Sequence, residues 1–204
     1  MEKRKKTLIL IHGLYSFPWM LKWIGQQLEK KFDVVYFGHN SVRYGESTMH
    51  ALHETIQKLQ KKGVRKVVLA GHSMGGLLAK RYSQLHSEKI HYIVTFGTPH
   101  NGSKLGKILD SFGLIGSAGD SGITKKIEEK THVPFLNIVG VIKNPFLQKT
   151  LPLLTESDGT VHVSEASTQH ATKEVFVDAT HLGLLTCSDV VHEILNFEER
   201  HSFN

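Results

Sequence analysis

The stretch Lys66-Val67-Val68-Leu69-Ala70-Gly71-His72-Ser73-Met74-Gly75-Gly76-Leu77-Leu78 decides how the chain is read. Val67–Ala70 is a short continuous apolar run, the mark of a strand buried on both faces. Beyond Gly76, the residues Leu78, Tyr82 and Leu85 recur at helical spacing. Between the two lies Gly71-His72-Ser73-Met74-Gly75, a match to G-x-S-x-G. The pattern alone is common. Set between a strand and a helix, it describes a sharp turn that lifts a serine hydroxyl above a sheet. Such a turn strains the serine backbone, and Gly71, Gly75 and Gly76 leave room for it. The following helix then presents its positive end to the hydroxyl. A glycine-rich turn with an incidental serine is the competing reading, and the rest of the chain has to decide between them.

Working outward, the same alternation repeats. Leu8–Ile11, Val34–Phe37, Val67–Ala70, Ile90–Phe96, Phe135–Val139 and Val175–Val177 read as buried strands. Amphipathic stretches lie between them. Ser16 and Pro18 look like a cap and a first-turn proline for a helix facing inward through Met20, Ile24, Gln27 or Leu28, and Lys31. Met49, Leu52, Ile56 and Leu59 mark a second helix, closed by Gly63. Val191, Ile194 and Leu195 mark a last one, capped by Ser188. Strand–helix alternation of this kind predicts an α/β fold with a mainly parallel sheet of about six strands flanked by helices. No repeat or linker interrupts residues 1–204, so one domain is expected. Segments 101–130, rich in glycine, and 143–156 are the expected pocket-rim insertions.

A serine nucleophile needs a base, and the base needs an orienting carboxylate. On such an elbow the chain order is Ser, then Asp or Glu, then His. His181 follows the last strand in Ala179-Thr180-His181-Leu182-Gly183, where small residues permit a tight loop. His170 precedes that strand, His192 lies in a helical pattern, and His72 adjoins the serine, where neighbouring side chains diverge. Most of the other histidines are expected on the surface. Asp158, in a Ser-Asp-Gly turn between the last two strands, is the candidate acid; Asp178 and Glu156 rank below it. Acyl transfer also needs two N–H donors for the developing oxyanion. Met74, after the serine, supplies one. Leu14, after His12-Gly13, supplies the other.

Composition adds bounds. The 204 residues are 40% hydrophobic and 22% charged, an ordinary globular balance that excludes disordered and fibrous classes. The formal charge of +6 includes the opening run Lys3-Arg4-Lys5-Lys6; a solvated surface explains it, with weak attraction to anionic surfaces as the functional alternative. The single cysteine, Cys187, cannot form an intramolecular disulfide. Thr7–Ile11 imitates a signal-peptide core but stops after five residues with no cleavage site, and no run approaches the ~20 apolar residues of a membrane span. A cytoplasmic location and no stable membrane insertion are expected.

With these landmarks in place, the chain resembles the small bacterial lipases and esterases of the α/β-hydrolase superfamily. The resemblance rests on Leu8-Ile9-Leu10-Ile11-His12-Gly13-Leu14, Gly71-His72-Ser73-Met74-Gly75-Gly76, Phe96-Gly97-Thr98-Pro99-His100-Asn101-Gly102-Ser103, Ser157-Asp158-Gly159-Thr160-Val161 and His181-Leu182-Gly183-Leu184-Leu185. It implies the α/β-hydrolase fold, and no large cap domain fits in 204 residues. It implies Ser73 as nucleophile, His181 as base, Asp158 as orienting acid, and Leu14 with Met74 as oxyanion donors. No metal or cofactor is implied, and no nucleic-acid partner is expected. Tyr15, Phe17, Trp19, Leu105, Leu109 and Phe112 are the candidate substrate-binding residues, with Ile108 on the same helical face as Leu105. That face could equally pack on the sheet. The expected substrate is a small-molecule or lipid ester with a short- to medium-chain acyl group. A thioesterase, amidase or acyltransferase would use the same triad. A non-catalytic binding protein on this fold is disfavoured by three competent triad residues.

Overall fold

The computed structural model describes residues 5–42, 45–114, 130–144 and 155–201. Six strands form one sheet: β1 (Lys6–Ile11), β2 (Phe32–Phe37), β3 (Val67–His72), β4 (Ile90–Phe96), β5 (Phe135–Val141) and β6 (Lys173–Asp178). Their order is β2-β1-β3-β4-β5-β6 and every neighbouring pair is parallel. The helices are α1 (Lys22–Leu28), α2 (Glu46–Lys61), α3 (Met74–Leu85), α4 (Lys104–Ser111), α5 (Val163–Ala166) and α6 (Ser188–His201). This is the open parallel sheet of the α/β-hydrolase fold. Among the described residues, α4 is the one helix between β4 and β5, so no large cap is seen there.

The continuous apolar runs make sense once both sheet faces are covered. Successive side chains point to opposite faces. Leu8, Leu10, Val68, Ala70 and Val94 meet Leu21, Ile24 and Leu28 around α1 and Val190, Ile194 and Phe197 of α6. Ile9, Ile11, Val67, Leu69 and Ile93 meet Leu52 and Ile56 of α2 and Leu77, Leu78 and Tyr82 of α3. Each such burial is worth roughly 1.5–3 kcal/mol, so slipping a strand by one residue would disrupt both cores.

Strand order places the site. The chain steps from β1 outward to β2, then returns to β3 on the other side of β1. The carboxyl ends of β1 and β3 therefore border a topological switch point, where open α/β sheets carry their crevice. The register pairs Ile11 with Gly71, which sets His12-Gly13 beside His72-Ser73.

Some helix details differ from expectation. A 3-10 turn over Pro18–Leu21 precedes α1, with Phe17 rather than Ser16 at its cap position; the Ser16 hydroxyl instead contacts the Met20 sulfur at 3.2 Å. Ile24 and Leu28 face inward and Gln27 of α1 is exposed, while Lys31 is exposed beyond the helix, which ends at Leu28. Leu85, at the last residue of α3, is exposed rather than inward. Ser188 is the first residue of α6, whose buried face is Val190, Ile194 and Phe197, with Val191 and Leu195 half-buried beside it. Gly63 follows α2 at φ 87, as a helix stop requires. Much of 101–130 and 143–156 lies outside the described residues.

Candidate active site

Ser73 sits between β3 and α3 at φ 53, ψ −124, a left-handed conformation that costs a non-glycine residue roughly 1–3 kcal/mol. The surroundings hold it there. The Ser73 N–H donates to the Phe96 carbonyl at 2.9 Å, and the Ser73 carbonyl accepts from the Thr98 hydroxyl and the Gly76 N–H, each at 3.0 Å. At Gly75 a Cβ would lie 2.4 Å from the Ile11 carbonyl oxygen, so a side chain there would force β1 away from the elbow. Met74, the first residue of α3, is buried behind the serine.

The loop after β1 closes on the same point. A Cβ on Gly13 would stand 2.9 Å from Ser73 Cβ and 3.4 Å from its Oγ, so only glycine allows this approach. His12 Nδ1 lies 3.0 Å from the Gly13 carbonyl. A carbonyl only accepts, so Nδ1 carries the proton and Nε2 is bare, free to accept the His39 N–H at 3.4 Å. In a planar trans peptide the N–H points opposite to the C=O. With the Gly13 carbonyl held by His12, the Leu14 N–H turns away from that ring. His12 and His39 stack at 4.1 Å. Burial lowers the pKa of both, that of His39 to about 3 with His12 adding to the effect, so the stack is neutral.

His181 and Asp158 meet, although they follow different strands. His181 Nδ1 lies 2.7 Å from Asp158 Oδ2, and the His181 N–H donates to the Asp158 carbonyl at 2.8 Å. Asp158 Oδ1 accepts the N–H groups of Thr160 at 2.9 Å and Val161 at 2.7 Å. The carboxylate is 2% exposed yet fully engaged, as a buried charge requires. Donation from Nδ1 leaves His181 Nε2 as the free acceptor. The other candidate acids lie apart from this pair. Asp178 Oδ1 accepts the Lys143 N–H at 3.0 Å, and Glu156 sits in a left-handed turn at φ 55. The ring of His72, next to Ser73, lies 4.6 Å from the His181 ring, which sets His181 beside the elbow.

The candidate substrate-binding residues are largely open to solvent. Tyr15 is 54% exposed, Phe17 58%, Trp19 64% and Phe112 74%. On α4, Leu105 and Ile108 are also exposed, whereas Leu109 packs against the core; Phe112 caps the helix. The candidate substrate-binding residues are thus mostly exposed, and the helix face divides between solvent and core. The Tyr15 hydroxyl donates to the Leu114 carbonyl, joining the β1 loop to the segment after α4. Among the described residues, no cluster of His, Cys, Asp and Glu is arranged to hold a metal ion.

Residues 25–198 match the PGAP1-like alpha/beta domain family. The chain belongs to that family. Membership and fold together place it in the α/β-hydrolase superfamily, with lipase- and esterase-like relatives in structure. The mature Bacillus licheniformis lipase BlEst2 superposes with TM-score 0.71 at 17% identity, covering 94% of this chain and 91% of that one. Tomato methylketone synthase I, solved with 2-tridecanone, gives 0.65 at 13%, covering 98% and 100%. A marine microorganism esterase gives 0.62 at 18%, covering 96% of each. At these identities the likeness is one of fold. No curated protein matches the sequence.

Other features of this family member escape a sequence reading. The histidines are less superficial than expected: His12 and His100 are buried, and His39, His53, His86, His91, His162 and His201 are half-buried, while His50 and His132 are exposed. The cue was position, since His12 and His72 directly continue buried strand runs. Glu165 likewise gives no clear signal in the sequence. Its carboxylate accepts the Lys104 N–H at 2.6 Å and the His162 N–H at 3.0 Å, tying the start of α4 to the segment after Asp158. The three-residue spacing of His162 and Glu165 is that of a capping box, with histidine in place of serine or threonine.

Proposed function

We propose that this protein is a serine hydrolase that cleaves carboxylic esters with short- to medium-chain acyl groups through an acyl-enzyme intermediate. The observation that carries this reading is the convergence of the strained Ser73 elbow, the Gly13 loop against Ser73, and the 2.7 Å His181–Asp158 pair beside it. Ser73 Oγ attacks the ester carbonyl while His181 Nε2 takes its proton. Asp158 holds the Nδ1–H tautomer and stabilises the imidazolium that forms. The N–H groups of Leu14 and Met74 receive the oxyanion as it develops. Collapse expels the alcohol, protonated by His181. Water, deprotonated by the same nitrogen, then attacks the Ser73 ester and releases the acid. Each proton is accounted for by one imidazole, so neither metal nor cofactor is called for.

The rim of Tyr15, Phe17, Trp19, Leu105 and Phe112 supplies apolar surface for the acyl chain, with Leu109 at its base. An open rim suits soluble esters of moderate length, a small molecule or a dispersed lipid. No described helix is long and apolar enough to cross a membrane. We take the protein to act in the cytoplasm without stable membrane insertion or nucleic-acid partners, its basic surface lending at most weak attraction to anionic surfaces. The test is hydrolysis of p-nitrophenyl esters of increasing acyl length by wild type and Ser73→Ala. Turnover that peaks at short or medium chains and falls about 10⁴- to 10⁶-fold in the variant supports the reading. Faster cleavage of long-chain emulsified triglycerides sinks the chain-length assignment. Equal, residual rates in both proteins sink the mechanism.

A further inference from the structure

His72 occupies the variable position of the serine motif, which the triad chemistry leaves without a task. It is the last residue of β3 and 3% exposed, with its ring packed between Phe96 at 5.4 Å and His181 at 4.6 Å. Its Nε2 lies 3.0 Å from the backbone carbonyl of His181. That contact fixes the tautomer, because a carbonyl only accepts: Nε2 carries the proton and the buried Nδ1 is bare. Burial, reinforced by His181 next to it, keeps the ring pKa well below 6.5, so the ring is neutral. A neutral neighbour adds no charge repulsion when His181 becomes an imidazolium.

Among the described residues, the other hydrogen bonds of His181 go to the Asp158 loop, through its N–H and its Nδ1. Those two bonds orient the imidazole towards the acid but do not tie it to the nucleophile. The His72 bond does. It runs from the residue adjoining Ser73, on β3, to the loop after β6, three strands away in the sheet.

We propose that His72 is a positioning residue, whose Nε2–H bond to the His181 carbonyl holds the base loop in register with the Ser73 elbow. This rests on the serine-hydrolase reading. The donor, rather than the bulk of the ring, does the positioning, so an amide nitrogen at the same reach replaces it. Glutamine places its Nε2 the same number of bonds from Cα as histidine does. Methionine matches glutamine in shape and has no donor. Misplacing a reacting group by about an ångström costs on the order of 100-fold in rate, and a loosened base loop falls within that range.

The experiment compares wild type, His72→Gln and His72→Met. The readouts are kcat and KM on a p-nitrophenyl ester, the rate of Ser73 labelling by a fluorophosphonate, and the thermal midpoint. The expected result is a kcat about 10- to 100-fold lower in His72→Met with KM within about threefold, and a kcat in His72→Gln within about threefold of wild type. Labelling rates should follow kcat. Should His72→Met not fold, His72→Phe, which keeps a ring without the donor, is read in its place. A folded donor-less variant with wild-type kcat overturns the proposal. So does a folded His72→Gln as slow as the donor-less variant, which would make the ring's packing the relevant property. Labelling without ester turnover would fault the substrate class alone, and the labelling rates would still judge His72. A wild type that neither hydrolyses nor is labelled overturns the serine-hydrolase reading, and the positioning role with it.

Discussion

The buried centre and the exposed rim of this molecule are built on opposite terms. The Asp158 carboxylate accepts three hydrogen bonds among the described residues and Asp158 is 2% exposed, and His181 is held through its N–H, its carbonyl and its ring. Phe17, Trp19 and Phe112 are each more than half exposed. The first region is over-determined, as a strained elbow must be if it is to persist. The second can vary without disturbing the sheet. On the proposed reading, chemistry set on strand ends and recognition set on loops are separable, and substitutions should sort accordingly.

The largest expected effect comes from Asp158→Asn. The side-chain oxygen still accepts from Thr160 and Val161, so the fold survives, but the amide presents N–H groups to His181 Nδ1 and imposes the wrong tautomer. On ester substrates kcat should fall about 10⁴-fold with little change in thermal midpoint. A loss under tenfold would show that the pair is structural only. Gly13→Ala comes next. The added methyl meets Ser73 Cβ at 2.9 Å, which displaces the loop bearing the Leu14 N–H. A loss of about 100-fold in kcat/KM is expected, and unchanged kinetics would remove Leu14 as an oxyanion donor.

Acid stability sharpens the contrast at the buried side. His39 and His100 have folded pKa values of about 3 against 6.5 in the unfolded chain, burial being the main cause. The unfolded state therefore binds more protons between those values, and stability falls as pH drops from 6.5 towards 3. The thermal midpoint should decline across that window, and less steeply in His100→Gln, which still offers an N–H to Asn137 Oδ1. Identical slopes would mean His100 is not buried neutral. The smallest effect belongs to the rim. Phe112→Ala should change stability by no more than about 0.5 kcal/mol and weaken kcat/KM roughly tenfold or less, only for the longer acyl chains. An equal loss on acetate and octanoate esters would place Phe112 outside the acyl site.

Much of this division is legible in the sequence. The six strands are visible because strands buried on both faces must be apolar throughout, and Ile90–Phe96 has the same bounds in both readings. The meeting of Asp158 and His181 is legible as chain order, since both follow the last strands and their side chains lie 2.7 Å apart. The helices are less so: α1 stops at Leu28 where the pattern continues to Lys31, because a short helix has too few turns to fix its phase. The buried histidines are hidden by the residue's mixed character, polar in composition yet able to pack as a neutral ring. Whether Leu105 and Ile108 face core or solvent depends on what lies opposite them, and helical spacing carries no record of that.

The most direct test of the central claim is to treat the protein with a fluorophosphonate and locate the adduct by mass spectrometry of the intact chain and its peptides. The account predicts one adduct per chain, on the peptide bearing Ser73, absent from Ser73→Ala and slowed in Asp158→Asn. No adduct on a folded protein, or an adduct on Ser16, Tyr15 or any other side chain that persists in Ser73→Ala, would contradict it.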